Sequence, residues 1–122
     1  MSKERPELPN LVNANTTEVE VFQNVIIRPI IKMQHQLLIA FLESYLNKRK
    51  IHFTSLSEEK KKSIIESSLD KDIAFRSKII GSVLGQFSIE EYQNYSKNSS
   101  ELNRRIKQIV LKRLQDSINS II

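Results

Sequence analysis

The chain of 122 residues contains no cysteine and no tryptophan, and it has only two glycines and three prolines. Without cysteine there is no disulfide, no thiolate nucleophile and no Cys-ligated zinc site within it. Glycine and proline are the residues that tight turns need, so their scarcity disfavours a turn-rich sheet protein and favours helices. We therefore predict an all-α fold.

A long hydrophobic run is also missing. The longest uninterrupted apolar run covers residues 37–42, whereas roughly 20 apolar residues are needed to span a bilayer. The charged start, residues 1–6, is not followed by the apolar segment of a secretory signal. We therefore expect no membrane partner and a cytoplasmic location.

The charge balance is positive, with 19 lysines and arginines against 14 acidic residues and a formal net charge of +5. Such an excess biases a protein toward anionic partners without requiring them. A chain of this length forms one modest core. We predict a single helical domain over residues 17–122, preceded by a flexible tail at residues 1–16, which hold Pro6 and Pro9 and show no apolar period.

Apolar side chains recur at helical spacing in five segments. Three longer helices are predicted at about residues 18–49, 71–86 and 100–119, and two short ones at about 58–69 and 89–96. Ser57, Asp70 and Ser88 stand where N-caps are wanted. The connectors are short, which favours antiparallel neighbours, so we expect a compact bundle of about five helices.

The first of these helices carries Pro29 in its interior. Proline there removes an amide donor and collides with the carbonyl group four residues back. Because the apolar period continues across Pro29, we predict a kink; the alternative is two helices with Pro29 in the first turn of the second. Apolar side chains surround most of this helix, which favours a homo-oligomer.

Polar residues stand at positions where the apolar pattern predicts core. Asp72 and Arg76, four residues apart on one helix face, are expected to pair. Since a buried charge is costly unless it is paired, the polar residues should meet near Gln34. They form either a structural network that fixes helix register or a pocket for a small anion or a partner's carboxylate. The predicted polar cluster consists of Arg28, Gln34, His35, Asp72, Arg76 and Arg113.

A second basic set indicates nucleic-acid binding as an alternative. It consists of Lys48, Arg49, Lys50, Arg104, Arg105 and Lys112. Binding to phosphates requires such cations to share one solvent face. In a helical projection Arg105 and Lys112 share a side with Glu101 and Asp116, which favours a solvated face of mixed charge.

Signatures of enzymes are missing. His35 and His52 lie on different elements without the neighbours of a helical metal site, and no serine stands in a nucleophile elbow. We predict no catalytic residue, metal or cofactor. The expected function is a non-enzymatic interaction or ligand-binding module for an unknown protein or a small anionic ligand. The alternatives are a basic RNA- or ribosome-associated protein and a small-molecule enzyme that uses the polar pocket.

Several short segments together resemble a family of short bacterial helical proteins whose members are often named glyoxalase. These segments are residues 22–24, 28–30, 71–72 with Arg76, and 101–105, and the likeness covers roughly residues 22–115. The resemblance implies a helical fold and gives weight to these polar positions. It implies no catalytic residue.

Overall fold

The structure is a computed structural model that describes residues 17–121. These residues are mainly helical and contain no strand, which confirms the all-α fold. The predicted flexible tail, residues 1–16, lies outside the described residues, as does residue 122. The single domain over residues 17–122 stays a prediction.

The described chain forms six helices, where about five were predicted. They are α1 (Glu18–Met33), α2 (His35–Lys48), α3 (Glu58–Lys71), α4 (Ile73–Leu84), α5 (Ile89–Ser96) and α6 (Ser99–Asp116). Two short 3-10 turns lie at Phe53–Ser55 and Ile118–Ser120. The extra helix arises because the long first helix of the prediction is divided at Gln34.

Polar side chains start the helices. The hydroxyl of Ser57 accepts from the amide of Lys60 at 3.2 Å, as predicted for α3. Ser88 and Glu91 form the reciprocal capping box of α5, with bonds of 3.1 and 2.8 Å. Asp72 caps α4 in place of the predicted Asp70, because α3 continues through Asp70 to Lys71.

Pro29 does not divide the first helix. The turn before it, Gln23–Ile27, is π-helical, and the amide of Arg28 donates to the carbonyl of Gln23. A π turn shifts the hydrogen bonds by one residue and widens the helix, which makes room for a proline ring. The bend of 63° lies instead between α1 and α2, at Gln34. The structure therefore does not confirm a kink at Pro29.

One hydrophobic cluster joins the helices. Its most deeply buried members come from α1, α2, α3, α4 and α6. They include Ile27, Ile30, Ile31, Leu38, Leu42, Leu46, Ile65, Leu69, Ile79, Val83, Leu102, Ile106, Val110 and Leu114. On α6 the buried positions recur every four residues, so one stripe faces the core and its flanks carry the polar residues.

Hydrogen bonds and ion pairs between side chains show the relative directions of the helices. Lys107 of α6 pairs with Asp70 at 2.8 Å and Gln115 donates to the carbonyl of Lys62, so α3 and α6 run antiparallel. In contrast, Arg105 donates to Gln23, and Arg113, further along α6, contacts His35, which follows α1. Residue numbers therefore increase in the same direction along both helices, so α1 and α6 lie side by side and parallel.

Two adjacent leucines of α2 test this assignment of the core. Leu38 is fully buried, whereas Leu37 is 39% exposed. Leu38→Ala should lower the free energy of unfolding by about 2–5 kcal/mol, because it leaves a cavity in the core. Leu37→Ala should lower it by less than about 1 kcal/mol. Urea denaturation measures both, and equal losses would contradict the orientation of α2.

Candidate functional site

Gln34 occupies the bend between α1 and α2 and is 3% exposed. Its Nε2 atom donates to the carbonyl of Ser82 on α4 at 3.1 Å. Its Oε1 atom is buried and has no hydrogen-bond partner in the described part of the chain. None of the predicted cations bonds to Gln34, so Gln34 links the bend to α4 and is not the centre of a polar cluster.

The predicted pair of Asp72 and Arg76 does not form. Asp72 caps α4, with Oδ1 accepting from the amide of Phe75 at 3.0 Å, and its other oxygen pairs with Arg49. Arg76 donates to the carbonyls of Leu69 and Asp70, both at 3.0 Å. A capping side chain turns back toward its own first turn, which removes it from the helix face on which Arg76 lies.

The remaining three members of the predicted cluster lie near α6. Arg113 Nη1 is 3.3 Å from His35 Nδ1, and since arginine offers only donors, a hydrogen bond here needs Nδ1 as the acceptor. The Nε atom of Arg28 donates to Asn24 Oδ1 at 3.1 Å. Thus the predicted cluster is divided into separate contacts, and only Arg113 and His35 touch each other.

Arg28 and Arg113 face a cleft of about 530 Å³ between α1 and α6. We call it the basic cleft. Its lining consists of Gln23, Arg28, Arg105, Gln108, Ile109, Lys112, Arg113, Asp116 and Ser117. Four cations therefore face a single carboxylate, and Arg105 and Lys112 come from the set predicted for nucleic acid.

Helix geometry explains why the cations of α6 share this cleft. Arg105 and Lys112 lie seven residues apart, which is close to two turns, so they project from nearly the same angle, and Arg113 follows about 100° further round the helix. The buried stripe of Ile106 and Val110 faces the core and turns these cations toward the flank beside α1. The bond from Arg105 Nη1 to Gln23 Oε1, at 2.9 Å, joins the two walls.

The cations differ in how far their charge is compensated. Lys112 pairs with Asp116 at 3.3 Å, although both side chains are mainly exposed. Arg105 Nε is buried without a hydrogen-bond partner in the described residues, and Glu101 Oε2 is 3.7 Å away. Within residues 17–121, neither Arg28 nor Arg113 forms an ion pair with a carboxylate. In the described part of the chain, these two guanidinium groups of the cleft therefore have neutral hydrogen-bond partners and no carboxylate partner.

The other residues of the predicted nucleic-acid set lie elsewhere. Lys48 and Arg49 line a separate groove of about 190 Å³ between α2 and α4, where Arg49 also stacks on Tyr45. Lys50 is exposed and has a positive φ of 55° just after α2. Arg104 donates to Glu101 and Gln108. The predicted set is therefore divided between at least two surfaces.

The pKa of Glu101 lies below its ordinary value. The main cause is the hydrogen bond that the carboxylate accepts from Arg104. Desolvation acts in the opposite direction, and the positive charges of Arg104 and Arg105, with a weaker bond to Arg105, lower the pKa further. Glu101 does not line the basic cleft. Glu101 pairs with Arg104 and with Arg105, and it forms no ion pair with Arg28 or Arg113.

Sequence reasoning missed the basic cleft because its residues were assigned to two different sets. Arg28 and Arg113 were placed in an inner cluster, and Arg105 and Lys112 on a solvated face. Gln23 and Gln108 were not singled out. The spacing of Arg105 and Lys112 indicates that both lie on one face of α6, which is one wall of the cleft. The other wall is α1, and its position depends on how α1 packs against α6.

The described chain offers neither a cluster of metal ligands nor a single membrane-spanning helix. Residues 17–121 hold no group of three or more His, Asp or Glu side chains that could bind a metal ion. No single helix there is long and apolar enough to cross a membrane; α1 and α2 meet the length and composition limits only as a bent pair.

The lowered pKa of Glu101 predicts a pH dependence. Ionised Glu101 stabilises the fold fully above about pH 4.5, the ordinary value, and this contribution falls with pH until it is lost below the pKa of the folded state. The thermal midpoint of the unaltered chain should therefore fall more steeply below pH 4.5 than that of Glu101→Gln. About 1 M salt should reduce the difference by screening. Parallel pH curves for the two proteins would contradict the assignment.

Comparison of the chain with family models, curated proteins and solved structures finds no match. The resemblance to short bacterial helical proteins therefore stays a prediction. What can be said about function follows from the chain's own residues.

Proposed function

We propose that this protein is a non-enzymatic binding module that holds an anionic ligand, or an anionic group of a partner, in the basic cleft. One observation carries the proposal: Arg28 and Arg113 reach the same cleft from different helices, and neither forms an ion pair with a carboxylate in residues 17–121. A surface pair of arginines without such a partner attracts anions.

The chemistry of the lining supports an anion over other ligands. Guanidinium groups bind phosphate or carboxylate through two parallel hydrogen bonds. The guanidinium group of Arg105 is only partly compensated, since its Nε atom lies 3.7 Å from Glu101 Oε2 and its Nη1 atom donates to the neutral amide of Gln23. A ligand oxygen beside Gln23 would add a further acceptor for this group.

The size of the cleft suits a small ligand. At about 530 Å³ it falls within the range of roughly 300–1,000 Å³ that is usual for small-molecule sites. The pair of Lys112 and Asp116 is exposed, and pairs of this kind contribute only about 0–1 kcal/mol. Lys112 can therefore turn from Asp116 to a ligand at little cost.

RNA is the second candidate. It is supported by the presence of Arg105 and Lys112, predicted for nucleic acid, in the same cleft as Arg28 and Arg113. RNA binding through these residues would weaken steeply with salt, because each neutralised phosphate releases counterions. The third candidate, an enzyme built on Gln34, Asp72 and Arg76, lacks support because these residues do not meet.

Other features remain proposals. A homo-oligomer is supported by large apolar side chains exposed on four helices, namely Val25, Leu37, Ile73, Ile89 and Tyr92. Sedimentation that gives only a monomer at micromolar concentration would contradict it. A compact bundle is supported by the single hydrophobic cluster that joins the helices. A cytoplasmic location is compatible with the absence of cysteine.

The anion proposal predicts where a simple anion binds. When inorganic phosphate is added to isotope-labelled protein at constant ionic strength, the largest NMR shift changes should fall on Arg28, Arg105 and Arg113. Arg28→Gln should weaken binding about tenfold, because it removes a charge-assisted hydrogen bond. The matched control is Lys32→Gln, which removes an exposed cation of α1 outside the cleft.

The result for Lys32→Gln decides the interpretation. Unchanged phosphate affinity in this variant identifies the cleft as the site. Equal weakening by Lys32→Gln and Arg28→Gln, or shift changes spread evenly over the surface, would mean that phosphate responds only to net charge and would contradict the proposal.

A further inference from the structure

The cations of the basic cleft are arranged along a line. Gln23 of α1 bonds to Arg105 at one end, and His35 contacts Arg113 at the other. Since α1 and α6 run in the same direction, Arg28 reaches the cleft between these two contacts. The cleft therefore presents positive charge at three successive levels: Arg105, then Arg28, then Lys112 with Arg113.

The length of this line exceeds a single anion. Along the axis of α6, eight residues separate Arg105 from Arg113, which at 1.5 Å per residue is about 12 Å. To bind at all three levels at once, a single phosphate would have to draw together side chains that start about 12 Å apart, because each hydrogen bond spans only about 3 Å. An extended anion with several charges matches this line of cations better than a single phosphate does.

The rest of the lining restricts what else the ligand contains. Among the described residues that line the cleft, Ile109 is the sole apolar one and none is aromatic. Proteins that bind single-stranded nucleic acid stack the bases on aromatic side chains. The cleft offers no such surface, whereas the amides of Gln23 and Gln108 and the hydroxyl of Ser117 add further hydrogen-bonding groups between and beside the cations.

We propose that the basic cleft binds an oligophosphate chain, that is, three or more linked phosphoryl groups. This inference rests on the proposed function and names its ligand class. The chain is either free inorganic oligophosphate or the triphosphate of a nucleotide whose base remains outside the cleft. Each phosphoryl group brings negative charge and several acceptor oxygens, which can accept the two parallel hydrogen bonds that a guanidinium group donates.

Each level of the cleft has a role in this arrangement. Arg105, held by Gln23 and paired with Glu101, presents its guanidinium charge to one end of the chain. Arg28 crosses from α1 to the middle phosphoryl group. Arg113 and Lys112 bind the other end, where Lys112 exchanges its exposed partner Asp116 for the ligand.

Isothermal titration calorimetry of the purified full chain tests the inference. The probes are inorganic phosphate, pyrophosphate and tripolyphosphate at one fixed ionic strength. Each added phosphoryl group should increase affinity about tenfold, since it adds a charge-assisted hydrogen bond, so tripolyphosphate should bind about a hundredfold more tightly than phosphate. A nucleoside triphosphate as a fourth probe distinguishes the two sources: tighter binding than tripolyphosphate indicates the nucleotide, and equal or weaker binding indicates the inorganic chain.

Variants show whether the gain arises in the cleft. Arg28→Gln and Arg113→Gln should each abolish most of the gain from phosphate to tripolyphosphate, whereas Lys32→Gln should retain it. Arg28→Lys keeps the positive charge but loses the paired hydrogen bonds of the guanidinium group. It should therefore restore part of the gain in affinity from phosphate to tripolyphosphate. Far-ultraviolet circular dichroism confirms that each variant is folded, and Arg28, as an exposed residue, is the variant with least risk to the fold.

The outcomes separate this inference from the proposed function. Equal affinity for phosphate and tripolyphosphate, both reduced by Arg28→Gln, would overturn the oligophosphate assignment and leave an anion site. Binding of single-stranded RNA that tripolyphosphate does not displace, or binding of an acidic peptide in preference to tripolyphosphate, would also overturn it. No binding of any anion would overturn both proposals.

Discussion

The parallel contact between α1 and α6 is the constraint on which the arrangement of polar groups depends. The core stripe of each helix, such as Ile27 and Ile31 on α1 and Ile106 on α6, is fully buried. Burial of these side chains fixes the rotation of each helix about its axis. With both rotations fixed, Arg28 and the cations of α6 are turned toward the same flank, and the bond between Gln23 and Arg105 closes one end.

Two irregularities of the backbone adjust this contact. The π turn at Gln23–Ile27 takes up Pro29 without a break, so α1 stays beside α6 along the cleft. The bend at Gln34 then turns α2 away, and the bond from Gln34 to Ser82 ties the bend to α4. The first residue after the bend, His35, meets Arg113. Both irregularities therefore lie beside residues that line or close the cleft.

Sequence patterns predicted the fold class and the caps at Ser57 and Ser88, because helix periodicity and capping depend on neighbouring residues. They failed where a residue had two possible local roles. Asp72 was read as a member of a helix face and is an N-cap, since α3 ends two residues later than predicted. That single shift removed Asp72 and Arg76 from the expected cluster.

The basic cleft was beyond the reach of sequence reasoning for another reason. A helical projection gives the faces of one helix, whereas the cleft needs the orientation of α1 relative to α6. Arg28 and Arg113 are 85 residues apart in the chain, and no local pattern relates them. Only the packed core sets them on facing walls.

A double-mutant cycle tests most directly whether these two walls form one site. The affinity for tripolyphosphate is measured for the unaltered chain, Arg28→Gln, Arg113→Gln and the double variant. If both arginines hold one ligand, the losses should be non-additive, with a coupling free energy of about 0.5–3 kcal/mol. Losses that add within the error would show that the two arginines act on separate anions, and they would contradict the account of a shared cleft.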